Sequence, residues 1–193
     1  MEIIKWKDII EDDNLSGELY KRVRSPKFVD KIIREYGAFP EGEYSSDLRL
    51  WLASKFYAQI NPAYQVLNGN VSQKRILDLG CGSSSGTYES EKFDPKMYEP
   101  WFCRVFKELG ANPVGIDIGN LNEEKFEHYT ANLLLPDSLD FLENNSIDVV
   151  TADLLYNSPT LEQMRGFGDL RELLLPQLER IVKPDGFFVE GSW

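Results

Sequence analysis

A doubly wound α/β fold, with a mainly parallel sheet and helices on both faces, is predicted by three features of this 193-residue chain. The apolar run Arg75-Ile76-Leu77-Asp78-Leu79 breaks directly into Gly80-Cys81-Gly82, so a strand buried on both faces gives way to a sharp turn. Short apolar runs then recur downstream, one of them, Pro113 to Ile118, carrying Asp117 near its end. Amphipathic helical patterns fall between these runs, as helices crossing over a parallel sheet require. A glycine turn at the carboxyl end of a first strand is where such sheets hold a nucleotide-type ligand.

The elements follow in order. Residues 1–73 read as helical. Lys27 to Tyr36 places Phe28, Ile32, Ile33 and Tyr36 at helical spacing, with Gly37 as a stop. Ser45 or Ser46 caps a second helix that carries Leu48, Trp51, Leu52 and Phe56 on one face. After the strand at 75–79, a long segment from Ser83 to Glu99 precedes a helix opening near Pro100, with Phe102, Val105, Phe106 and Leu109 inward. Strands are then expected at Pro113–Ile118, before Asn132, at Ile147–Asp153 and at Phe187–Glu190. A helix over Leu170 to Ile181 meets Pro176, which predicts a kink or a restart, and Lys183-Pro184-Asp185-Gly186 reads as a turn.

The chemistry of the first turn is specific. Dinucleotide sites use Gly-x-Gly-x-x-Gly, but the third glycine position here is Ser85. What stands in its place is Asp-x-Gly-x-Gly from Asp78 to Gly82, and a carboxylate there suits a ligand bearing an ammonium group better than a pyrophosphate. Asp117, ending the next strand, suits ribose hydroxyls. These residues, with Asn132 after the third strand and the Lys183-Pro184-Asp185-Gly186 turn before the fifth, resemble the class I S-adenosylmethionine-dependent methyltransferases, closest to the small-molecule "type 11" group. The resemblance runs from about Lys74 to Val189.

That resemblance implies a sheet of order 3-2-1-4-5 and S-adenosylmethionine as cofactor, with S-adenosylhomocysteine as product. It implies that Gly80 and Gly82 admit the cofactor to the backbone, and that Asp78 orders its amino-acid end. Asp117 would take the ribose, and Asn132 with Leu133 would border the adenine. Asp153 and Tyr156, after the fourth strand, are the candidates for general base or acceptor orientation. Glu190 and Trp193 are candidates to shape an acceptor pocket. The implied organisation is an N-terminal helical extension or lid over 1–73 and a cofactor-binding core over 74–193, within one domain. The sequence departs from the family in the long 83–99 segment and in ending before the family's final antiparallel hairpin. A minimal form, a truncated chain and a homodimer paired through an exposed fifth-strand edge all fit that ending.

Composition narrows the partners. The formal charge of −11 opposes polyanions, and the one basic cluster, Lys21, Arg22, Arg24 and Lys27, is short, so nucleic acid is disfavoured and a small-molecule acceptor is expected. No apolar run approaches the ~20 residues of a membrane span, and the N-terminus does not read as a signal peptide, which makes a cytoplasmic protein the expectation. Cys81 and Cys103 make no metal pattern, the acids Glu89, Glu91, Asp94 and Glu99 lack a fixed spacing, and the single histidine, His128, reads as structural, so no metal is expected. Two other function classes stay open: a noncatalytic sensor or partner subunit that binds the same cofactor, and an NAD-dependent dehydrogenase, against which Asp78 and the absent third glycine both argue.

Overall fold

The computed structural model describes residues 1–36, 45–83, 99–153, 155 and 170–191. Six strands form one sheet in the order β1-β6-β5-β2-β3-β4, and every pair is parallel. The strands are β1 (Glu2–Lys5), β2 (Arg75–Leu79), β3 (Asn112–Asp117), β4 (Glu127–Thr130), β5 (Ile147–Ala152) and β6 (Val182–Glu190). The five strands expected from sequence lie in the expected order, from β4 through β3, β2 and β5 to β6. Both central strands, β2 and β5, are buried along nearly their whole length, which is why apolar residues predominate on both faces of each.

The sixth strand corrects the expectation of an all-helical N-terminal region. Glu2 to Lys5 pairs with Phe187 to Glu190, so the flank of the fifth expected strand, for which a homodimer was one of three alternatives, is covered by a strand of the same chain. The pattern Glu-Ile-Ile-Lys is too short, and too exposed at Glu2, Ile3 and Lys5, to announce a strand by periodicity.

Helices pack on both faces. On one face lie α1 (Asp13–Val23), α2 (Pro26–Tyr36), α3 (Ser46–Val66) and α4 (Trp101–Glu108). Their apolar sides form a common core with Ile76, Val149 and Val189 of the sheet, so the residues before β2 share one interior with the strands. The helix starts obey local chemistry. Asp12 accepts from the N–H groups of Asn14 and Leu15, Pro26 occupies the first position of α2, and Ser45 accepts from Leu48 N–H at 3.1 Å. On the other face α5 (Leu170–Ile181) buries Leu174, Leu178 and Ile181 against Leu77, Leu79, Val150 and Phe188. Pro176 neither stops nor restarts α5, which runs continuously through it. The Lys183–Gly186 turn likewise lies within β6. The register jumps from Ile147↔Val182 to Val149↔Phe187, so these residues bulge out of a strand that starts earlier than expected.

Two polar groups organise the base and flank of the sheet. Asp148 receives Lys183 Nζ at 2.9 Å, Lys74 Nζ at 3.2 Å and Arg75 N–H at 2.9 Å. Burial alone would raise its pKa, but the hydrogen bonds from Lys183, Arg75 N–H and Lys74 outweigh it and hold the carboxyl below its ordinary value. Arg104 of α4 is buried between the rings of Tyr36 and Trp101, each centred 4.8 Å from its guanidinium carbon. It donates twice to Glu124, at 3.1 and 2.6 Å, and once to Glu99.

Candidate functional site

The site grows from the carboxyl ends of β2, β3 and β5. Where β2 stops, Gly80 N–H and Cys81 N–H both donate to Ile116 O, at 2.8 and 3.0 Å, and this shared carbonyl ends the β2–β3 ladder. Gly80 and Gly82 then take φ of 71° and 87°, in the left-handed region where a side chain is strained. Space demands glycine at position 80 as well, because a Cβ there would stand 2.8 Å from Leu155 Cδ1. The sequence expectation of a sharp turn at these glycines is met by their dihedral angles.

Asp117 ends β3 and faces this turn. Its Oδ2 accepts Gly82 N–H at 2.9 Å and its Oδ1 accepts Gly119 N–H at 2.8 Å. A carboxylate offers about four acceptor positions, so two remain for a diol. Asn132 is half-buried in the loop after β4, where its Oδ1 accepts Leu134 N–H at 3.1 Å, while Leu133 is buried in the core beneath α5. The structure therefore brings Gly80, Gly82 and Asp117 together and sets Asn132 and Leu133 one strand further along.

Asp78 is placed differently from its expected role. Its side chain is buried beneath the turn, on the face covered by α3 and α4, and its Oδ1 accepts the Thr151 hydroxyl at 2.8 Å. Burial pushes its pKa well above 3.8, Asp153 and Asp117 add to the rise, and the Thr151 hydrogen bond opposes it. Burial and the two neighbouring carboxyl groups thus disfavour its charged form, which an ammonium brought beside it would favour.

Asp153, just past β5, is half-buried and lies against Gly191, where a Cβ would come within 3.0 Å of its Cα and Oδ1. Tyr156 and Trp193 lie outside the described residues, as does most of the 83–99 segment. Glu190 accepts from Arg171 Nε at 2.6 Å and lines a cleft of about 650 Å³ with Ile3, Lys5, Ile9 and Gln65. That cleft is at the β1 side of the sheet. Two strand spacings, roughly 10 Å, separate Glu190 from Leu79, so it is not the space above the glycine turn. His128 is half-buried, with Nδ1 2.8 Å from Phe126 O, in keeping with a structural role.

Three features of the site were not read from sequence. Ser83 is buried against Gly119, and Gly115 of β3 leaves room for the sulfurs of Cys81 and Cys103, which would stand 2.9 and 3.3 Å from any Cβ there. Both thiols are pushed up chiefly by burial. The Arg104 node is the third. Only Gly119, two residues beyond an aspartate at a strand end, carried a local signal of the turn it makes. Among the described residues, no group of three or more His, Cys, Asp or Glu is placed to hold a metal, and no helix is long and apolar enough to cross a membrane.

No family model matches the chain, and no curated protein matches it significantly. Three solved structures to which the chain is similar are methyltransferases by description. One is a protein of Methanococcus maripaludis assigned as an S-adenosyl-L-methionine-dependent methyltransferase, 12% identical with a TM-score of 0.40, over 97% of this chain and 64% of that one. The CurJ carbon methyltransferase is 15% identical with a TM-score of 0.44, over 93% and 47%. The trans-methyltransferase CalH, in complex with SAH, is 16% identical with a TM-score of 0.41, over 92% and 52%. This chain spans less than two thirds of each of them.

Proposed function

We propose that this chain binds S-adenosylmethionine at the β2 turn and transfers its methyl group to a small-molecule acceptor. The observation that carries the reading is the Asp78-x-Gly80-x-Gly82 turn, with both glycines at positive φ and the Gly82 amide held by the acid that ends the neighbouring strand. The residues present fit the cofactor: two glycines at positive φ in the turn, and an acid with spare acceptor positions for a ribose. When bound, the cofactor supplies an activated methyl on a sulfonium, so the chain's task is positioning and exclusion of water.

In this reading Gly80 and Gly82 let the ligand reach the backbone, and Asp117 accepts from the ribose hydroxyls. Asn132 and Leu133 border the adenine, Asp78 orders the amino-acid end, and Asp153 with Tyr156 faces the acceptor. Helices α1–α3 act as the lid. Within that family the chain would stand with the small-molecule type 11 group.

Calorimetric titration with S-adenosylmethionine, S-adenosylhomocysteine and NAD tests the cofactor, and methyl transfer into a metabolite pool tests the reaction. Micromolar binding of the first two ligands, none of NAD, and a labelled small product are expected. Binding without transfer assigns a noncatalytic sensor or partner subunit instead. A folded protein that binds neither sulfur ligand ends the proposal.

A further inference from the structure

We infer that Asp117, with Gly119 and Ser83, is a positioning latch that fastens the glycine turn to the turn after β3 before any ligand arrives. The inference deepens the cofactor-site reading above, and its consequence for affinity rests on that reading. Beyond Ile116 O the two strands have no ladder left to hold the turn. The Asp117 carboxylate replaces it, joining two amides that lie 37 residues apart in sequence by the difference of their numbers, 119 and 82. Charge-assisted bonds of this kind are stronger than neutral ones. Ser83 completes the closure. Its Oγ lies 2.0 Å, and its Cβ 2.6 Å, from where a Cβ on Gly119 would stand, so only glycine at 119 lets the two turns meet. The far side is anchored to β4, through Thr130 Oγ1 donating to Gly119 O at 3.1 Å and Ala131 N–H donating to Asp117 O at 2.9 Å.

The latch makes a chemical demand that ribose does not. A hydroxyl can donate or accept, so a residue serving ribose alone tolerates asparagine. Two backbone N–H groups demand two acceptors, and an amide has one oxygen and one NH₂. Asp117→Asn therefore keeps the local bond to Gly119 N–H, an Asx turn within two residues, and turns a donor toward Gly82 N–H.

Amide hydrogen exchange in the ligand-free protein reads this directly. In Asp117→Asn, Gly82 should exchange roughly ten- to hundredfold faster, as loss of a bond to a charged acceptor implies, while Gly119 and the β2 core amides keep their protection. Asp117→Ala should expose both glycine amides. Gly119→Ala, which keeps the carboxylate but evicts Ser83, should also expose Gly82. General destabilisation would move the β2 amides too, so the pattern separates a latch from a loss of fold. Under the cofactor reading, Asp117→Asn weakens S-adenosylhomocysteine binding about as much as Asp117→Ala. Unchanged Gly82 protection in Asp117→Asn and in Gly119→Ala overturns the latch. Absence of cofactor binding in the wild type overturns only the cofactor reading, because the exchange experiment needs no ligand.

Discussion

Replacing Arg104 by alanine should cost more than any other single polar change described here. The side chain is 2% exposed, and so is that of its partner Glu124. Its two bonds to Glu124 match the fork geometry that guanidinium and carboxylate share. Truncation removes those bonds, the bond to Glu99 and the filling between Tyr36 and Trp101, and it leaves a buried carboxylate with no cation. Breaking one side of such a pair costs about 3–5 kcal/mol, which for a chain of this length lowers Tm by about 6–20 °C. Thermal and urea denaturation measure it. Since the cost lies in the orphaned charge, the double variant Arg104→Met/Glu124→Leu should recover more than half of the loss. A single variant losing under about 1 kcal/mol, the range of exposed pairs, would refute the burial argument. A double variant no better than the single would refute the orphaned-charge argument.

Further outcomes follow from the same contacts. Asp78 binds a proton in the folded protein that the unfolded chain releases above its ordinary 3.8, so its contribution falls as pH rises from there toward the raised value. Asp78→Asn should therefore be more stable than wild type at about pH 8, with a gap that narrows toward about pH 5; a pH-independent gap in urea titrations contradicts the assignment. The depressed Asp148 behaves oppositely. Its stabilisation is full above the unfolded value and is lost as pH falls through the folded one, so Asp148→Asn should be destabilised near neutrality and converge with wild type in acid. Gly115→Ala puts a methyl 2.7 Å from Phe126 Cε2 and 2.9 Å from Cys81 Sγ. It should lose about 1–3 kcal/mol by overpacking, and a neutral result in denaturation would show that the site has slack.

The parts of this molecule that were legible in its sequence are those governed by local rules. Gly80 and Gly82 announce a turn because few other residues tolerate its dihedral angles, and Ser45 announces a helix start because its hydroxyl meets the Leu48 amide. The strands at 75–79 and 147–152 declare themselves by burial on both faces. What was not legible depends on distant partners. Arg104 sits on an amphipathic helix where an arginine ordinarily meets solvent, and only Glu124, Tyr36 and Trp101 around it explain why it is inside. That the buried Asp78 oxygen accepts from Thr151, its register partner on the adjacent strand β5, depends on a strand pairing that the sequence does not spell out. Pro176 and the Lys183–Gly186 segment looked like breaks, yet packing of α5 and pairing of β6 carry both elements through them.

The pairing of β1 with β6 joins residues from almost opposite ends of the sequence. At the usual pace of synthesis, about 5–20 residues per second, Ile3 and Ile4 leave the ribosome roughly 10–40 s before Phe188 and Val189 are made. The first strand translated is thus the last to be docked, and it must wait while the rest of the sheet assembles around β2. Once β6 has formed, and until β1 docks, its flank offers unpaired backbone to whichever strand arrives first. The tether to β1 gives the chain's own strand a high local concentration against a neighbouring nascent chain. Crowded polysomes, or loss of residues 2–5, would tilt that competition toward the neighbour.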